Sequence, residues 1–151
     1  MSALDTDLLS DLIQRKRSCL VQLRDMGTKQ LELVREGNMT QLLELLAVKQ
    51  QVLIQLQQVE RQLDGFRGED PQDRHWSSPR ARQECAARLG ECEQILVQIV
   101  AQEKQSEQEL IRRRDEVASQ LAGVHTANEA RGAYLAQWQA DAPQLNLVSD
   151  R

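Results

Sequence analysis

Aromatic side chains are scarce in this chain: two Trp, one Tyr and one Phe make up 3% of its 151 residues. A core must therefore be assembled from Leu, Val, Ile, Ala and Met. Helix breakers are also few, with seven Gly and three Pro, whereas Leu, Gln, Glu, Arg and Ala dominate. These residues favour helix. The composition predicts a single all-α domain that is long enough to bury a modest core.

The chain also lacks an excess of basic residues, since its net charge is −4. It therefore offers no electrostatic footprint for nucleic acid or anionic lipid, and the arginine run at 112–114 is interpreted as a solvated helix face. The longest aliphatic runs are about four residues, too short to span a membrane. Residues 1–10 hold no basic, apolar leader. We expect a cytoplasmic protein.

Residues that carry catalysis or bind metals are few. The three cysteines are odd in number and lie on apolar helical positions, which indicates reduced thiols used as small core residues. Cys85 and Cys92 are two helical turns apart, about 10 Å, too far to share a zinc ion. Neither His75 nor His125 follows a Glu by three residues, as a di-iron bundle requires. We predict a protein that is not an enzyme, with no catalytic, cofactor-binding or metal-binding residue.

Apolar periodicity predicts a helical hairpin in the first half of the chain. Helix 1 is predicted over 5–36, and helix 2 over 39–63. Gly37 and Asn38 separate them, which is typical of a helix end followed by a cap. So short a connection predicts antiparallel packing. Lys49 falls on the apolar stripe of helix 2, where its stem is expected to pack while its ammonium reaches water.

Residues 64–78 are predicted to form a loop, because they combine Gly, Pro and acidic residues without periodicity. The loop is long enough to let the next helix run either way beside helix 2, and direct connections favour the antiparallel arrangement. Phe66 and Trp76 flank the loop. One of them is expected to plug an end of the bundle.

A very long helix is predicted over 79–140, with Ser78 as its cap and Pro79 at its first position. Pro143 is expected to end it, and residues 141–151 to form an irregular tail. Its apolar stripe is interrupted at 103–109, where the helix has a site for a bend. The predicted fold is an antiparallel, coiled-coil-like bundle made of a helical hairpin and one long C-terminal helix.

The second half of this helix has apolar residues that the shorter helices cannot all cover. It can fold back as a fourth bundle helix, pair with a second copy in a homodimer, or remain a free arm that binds a partner helix. Large apolar side chains on one helical face would supply the contact. The candidate contact residues are Val117, Leu121, Val124, Leu135 and Trp138.

The segment 42–54, LLELLAVKQQVLI, resembles the FlgN family of flagellar export chaperones, in which a Leu-rich helix carries a Lys-Gln pair followed by further aliphatic residues. The order of hairpin, acidic loop and long C-terminal helix is similar too. The resemblance implies a non-enzymatic cytosolic chaperone that binds the C-terminal helices of hook–filament junction proteins, keeps them export-competent and delivers them to the export machinery. It places client binding on 117–138.

A different class of function fits the same helices. A structural coiled-coil adaptor or self-assembling bundle with no export role would form a tight dimer through the long helix. Size measurements in the presence and absence of a client helix separate this alternative from a chaperone.

Overall fold

The computed structural model describes the backbone of residues 3–149 and the side chains of residues 5–140. Three α-helices account for almost all of it: α1 (Ala3–Glu36), α2 (Met39–Arg67) and α3 (Pro79–Ser149). A short 3-10 turn at Pro71–Asp73 lies in the connection between α2 and α3, and no strand occurs in residues 3–149. The all-α prediction is confirmed.

The turn between α1 and α2 has the conformation that its sequence predicts. Gly37 has φ 72°, the left-handed region that Gly enters without strain. The amide of Asn38 donates to the carbonyl of Leu33 at 3.0 Å, and its side chain accepts from the amide of Gln41 at 3.2 Å. One residue therefore helps to end α1 and caps α2, and the two helices pack side by side as the predicted hairpin.

The core lies in the first of two compact units, which ends at Glu109; the second unit begins at Leu110. The loop-end cluster joins the start of α1, the end of α2 and the start of α3: Leu9, Leu12, Ile13, Val59, Leu63 and Cys85. The central cluster joins the middles of α1 and α2 to the next part of α3: Cys19, Leu20, Leu23, Val52, Cys92 and Ile95. From the first cluster to the second, the residue numbers rise along α3 and fall along α2. The two helices are therefore antiparallel, as predicted.

The connection between α2 and α3 is tied to the bundle at several points. Thr6, which is 1% exposed, donates its hydroxyl to the carbonyl of His75 at 2.8 Å. Phe66 and Trp76 both pack against the loop-end cluster, where one of them was expected. The packing of Phe66 also explains why α2 continues to Arg67 rather than ending at Leu63: the extra turn places a half-buried apolar side chain against the core.

The start of α3 matches its prediction and the end does not. The Ser78 hydroxyl accepts from the amide of Ala81 at 3.1 Å, and Pro79 opens the helix. Residues 103–109 are helical, without interruption. The predicted end at 140 and the irregular tail are wrong for 141–149, since α3 passes Pro143 and reaches Ser149. A proline inside a helix costs about 3 kcal/mol, which penalises the helix without forbidding it; residues 150–151 lie outside the described part.

Lys49 corrects another expectation. Its side chain is mostly buried instead of extending into water: the residue is 9% exposed, and its Nζ donates to Oε1 of Gln30 at 2.9 Å and contacts the carboxylate of Glu103. One ammonium thus joins α1, α2 and α3. Glu103 is the first residue of the polar segment 103–109, and its charge is used inside the bundle.

Candidate protein-interaction site

The five candidate contact residues lie on a single seam of the second half of α3. Written as a heptad, Leu121 and Leu135 take position a, whereas Val117, Val124 and Trp138 take position d. Residues at a and d of successive heptads form the narrow stripe with which one helix packs against another in a coiled coil. We call residues 117–138 at these positions the α3 seam.

The five apolar residues of the α3 seam are exposed, with between 48% and 64% of their surface open to solvent. Trp138 and Leu121 are the most exposed of them, at 64% each. Large apolar side chains in a contiguous exposed row mark an interaction surface more often than scattered ones do. The exposed row is therefore a candidate surface for a second copy or for another protein.

One further apolar residue extends the seam, although it is absent from the candidate set. Leu110 lies seven residues before Val117, at the preceding d position, and is 40% exposed. The signal that would have found it is the seven-residue spacing itself. Tyr134, 69% exposed, lies beside the seam next to Leu135.

The seam is not wholly apolar. Asn128 occupies position a and Arg131 position d, between the Val124 and Leu135 ends of the stripe. A polar residue at such a position selects register and partner at some cost in stability. Arg131 has no acidic partner among the side chains of residues 5–140. The flanking e and g positions carry no acid either: they are Ala118, Gln120, His125, Ala127, Gly132 and Tyr134.

Charged and polar residues in this half of α3 pair with neighbours on the same helix. Arg112 lies 3.2 Å from Glu116, and the imidazole of His125 lies 3.0 Å from Glu129, both one helical turn apart. Arg114, at the a position between Leu110 and Val117, pairs with its neighbour Asp115. These exposed pairs agree with the interpretation of the arginine run as a solvated face, except that Arg113 is half-buried. The pairs one turn apart stabilise a helix by only about 0.2–0.5 kcal/mol each, so they support the helix and do not define a site.

The cysteines are buried in the core as predicted. Cys19, Cys85 and Cys92 are 6%, 4% and 1% exposed and form no disulfide. Burial raises the pKa of each thiol, because the thiolate loses its solvation. The residues that the structure describes contain no group of three or more His, Cys, Asp or Glu arranged to hold a metal ion.

The chain was compared with protein families, with curated proteins and with solved structures, and none of them matches it. Within residues 3–149, no helix combines the length and apolar character needed to cross a membrane. The α3 seam is therefore interpreted from its own residues, their exposure and their spacing.

Proposed function

We propose that this protein is a non-enzymatic chaperone that holds an amphipathic client helix against the α3 seam, and that its clients are the C-terminal helices of flagellar hook–filament junction proteins. The observation that carries the proposal is the exposed heptad row from Val117 to Trp138. The choice of client rests on the resemblance of 42–54 to the FlgN family. Transfer of the client to components of the export machinery, in the cytoplasm, belongs to the same proposal.

The energetics suit a complex that must later be released. Burying a large apolar side chain contributes roughly 1.5–3 kcal/mol, and the seam offers five such side chains that are already partly covered by their own helix. Association costs about 4–15 kcal/mol in lost freedom. The balance is a moderate affinity, which masks a client helix and still permits its departure.

The polar positions of the seam favour a different chain over a second copy. In a parallel, in-register homodimer, Arg131 would face its own symmetry copy with no acid at the flanking e and g positions. A client helix that places Asp or Glu opposite Arg131 removes this repulsion and adds an ion pair. Asn128 one turn away sets the register. Client helices are thus expected to combine an apolar stripe with an acidic residue.

The test is size-exclusion chromatography coupled to light scattering, with and without a peptide from the C-terminus of a hook–filament junction protein. A one-to-one complex formed at the expense of free chain is the expected result. A homodimer that persists unchanged with the peptide would favour the structural adaptor instead, and would remove the client assignment.

Two double variants locate the binding surface. Leu121→Asp with Val124→Asp is expected to abolish the complex while helicity by circular dichroism stays the same. The matched control is Leu43→Asp with Val97→Asp, two equally exposed apolar residues of α2 and of the first half of α3. The control should bind normally. Loss of the fold in the seam variant would show that these residues belong to a core, and the surface would have to be sought elsewhere.

A further inference from the structure

A pocket of about 330 Å³ lies at the loop end of the first unit, between α1, α2, the connection and α3. This volume is at the lower end of the range of about 300–1,000 Å³ found for small-ligand sites. Its walls are mainly apolar and aromatic. They include Leu9, Ile13, Leu63, Phe66, Trp76 and Leu89.

The charged side chains that line the pocket are all cationic. Lys16, Arg67, Arg74 and Arg82 line it, and no Asp or Glu is among the described residues that do. This is the opposite sign to the chain as a whole, whose net charge is −4. Basic side chains around an apolar cavity are complementary to a molecule with an apolar body and a negative head.

These four cations are not equally neutralised by the protein. Lys16 lies 2.8 Å from Glu60, and Arg67 lies 2.6 Å from the same residue. Arg74 is 3.9 Å from Glu69, too far for a hydrogen bond. Arg82 has no acidic partner among the side chains of residues 5–140. Arg82 is therefore the pocket cation without an acidic partner among the described side chains, and Arg74 has only a long ion pair.

One hydrogen-bond donor of Arg74, its Nε, lacks an acceptor among the described residues. Its side chain is 17% exposed, and Nη2 donates to the carbonyl of Phe66 at 3.0 Å. Its Nε is buried and has no hydrogen-bond acceptor among the described residues. A buried charged donor without an acceptor costs free energy, and the planar guanidinium is shaped to bind a carboxylate through two hydrogen bonds.

We propose that this pocket binds a single-chain carboxylate amphiphile, of the medium-chain fatty acid type. The alkyl chain packs between the apolar walls that include Ile13 and Leu63, and the carboxylate is held by Arg74 and Arg82 at the rim. The proposal does not depend on the α3 seam, because every lining residue precedes Leu110.

The first experiment is calorimetric titration of the full chain with decanoate, below its critical micelle concentration. We expect saturable one-to-one binding. Decanol has the same body without charge, and decyltrimethylammonium has the opposite charge; both should bind at least roughly tenfold more weakly, because a hydrogen-bonded charge pair is lost. Equal binding of decanol would show an apolar cavity without anion recognition, and would overturn the proposal.

Two pairs of variants place the ligand. Ala86 lines the pocket and Ala87 does not, although both are exposed on α3. Ala86→Phe should fill the pocket and abolish decanoate binding, whereas Ala87→Phe should leave it unchanged. Arg82→Gln should weaken binding roughly tenfold, and Arg80→Gln, whose arginine pairs with Glu84 at 3.0 Å outside the pocket, should not.

A spectroscopic readout checks the same placement. The chain has two Trp, and Trp138→Phe leaves Trp76 of the pocket wall as the sole indole. Decanoate should then shift the emission of Trp76 with the same saturation curve as the heat signal. Binding that leaves Trp76 emission unchanged, or that is equal in the two Phe variants at 86 and 87, would place decanoate on another surface and refute the assignment.

Discussion

The carboxamide of Gln102 on α3 occupies the space beside Gly27 on α1. Its Nε2 donates to the carbonyl of Arg24 and to the hydroxyl of Thr28, at 3.1 Å in both cases. A Cβ built on Gly27 would meet the Oε1 of Gln102. Gly in mid-helix is unfavourable by about 1 kcal/mol relative to Ala, so here the missing side chain of α1 admits a polar contact from α3.

This contact predicts that one substitution has different effects in two backgrounds. Gly27→Ala in the wild-type chain gains helix propensity of about 1 kcal/mol and displaces Gln102, losing hydrogen bonds of about 0.5–1.5 kcal/mol each; little or no net stabilisation is expected. In a Gln102→Ala background the space is empty, and Gly27→Ala should stabilise the fold by about 1 kcal/mol. Urea unfolding of the four proteins measures the coupling. Equal effects in both backgrounds would mean that the two residues do not interact.

Lys49 and Glu103 give a second prediction, because substituting one partner should change the stability differently from substituting the other. Glu103→Gln replaces the carboxylate with a neutral amide and leaves the buried ammonium without a counter-charge, so stability should fall by about 1–2 kcal/mol. Lys49→Met combined with Gln30→Leu replaces the buried ammonium and its buried acceptor with apolar side chains, while the half-exposed Glu103 returns to water. This double variant should be neutral or stabilising. Urea unfolding decides this as well, and a double variant that is less stable than Glu103→Gln contradicts the argument.

The features that could be predicted from the sequence are local ones. The turn at Gly37, the cap at Ser78 and the apolar periodicity each depend on residues within one or two helical turns, so propensity and spacing suffice. The contacts of Lys49 and Gln102 could not be predicted, because they depend on how three helices are aligned along their length. Lys49 meets a residue of another helix that is 54 positions away.

For the α3 seam, too, one property could be predicted from the sequence and another could not. The spacing of Val117, Leu121 and Val124 predicted that they share one face, since that follows from helical geometry alone. Their exposure could not be deduced, because the same spacing occurs in Cys85 and Cys92, which the structure buries. Burial depends on which part of α3 the two shorter helices cover.

The three thiols predict a pH dependence of stability. Burial raises the pKa of Cys19, Cys85 and Cys92 above the ordinary value of 9.0. The folded state therefore holds protons that the unfolded state has lost, and the free energy of unfolding should decrease as pH rises above about 9. Below that pH the thiols are protonated in both states and do not make the free energy of unfolding depend on pH. Guanidinium unfolding from pH 8 to 10.5 measures this; a variant with Ala at all three positions, although less stable, should lose this component of the slope. An identical slope would assign it to other groups.

Hydrogen exchange should distinguish the two units. The side chains of residues 114–140 are all exposed, so their backbone hydrogen bonds have little tertiary packing to support them. Their amides should exchange much faster than those beside Leu12, Leu20 and Leu33, which are 1% exposed. Mass spectrometry of exchange at several protein concentrations is the measurement. Strong protection of 114–140 that grows with concentration would indicate that a second copy covers the seam.

Arg131 gives a test of the proposed client helix. Its position within an apolar stripe, without an acidic partner among the described residues, favours a partner helix that carries an acidic residue opposite it. Arg131→Glu should weaken a client peptide with an acidic residue opposite it by roughly tenfold or more, because an ion pair becomes a repulsion. A peptide in which that acid is replaced by Lys should recover affinity for the variant. Arg112→Glu is the control, since Arg112 lies on the opposite face beside Glu116. Peptide fluorescence anisotropy reports each affinity. Two results would contradict the argument: the Lys peptide does not bind Arg131→Glu more tightly than the acidic peptide does, or Arg112→Glu weakens binding as much as Arg131→Glu. Either would mean that the net charge of the chain, and not the a/d position of Arg131, determines the affinity.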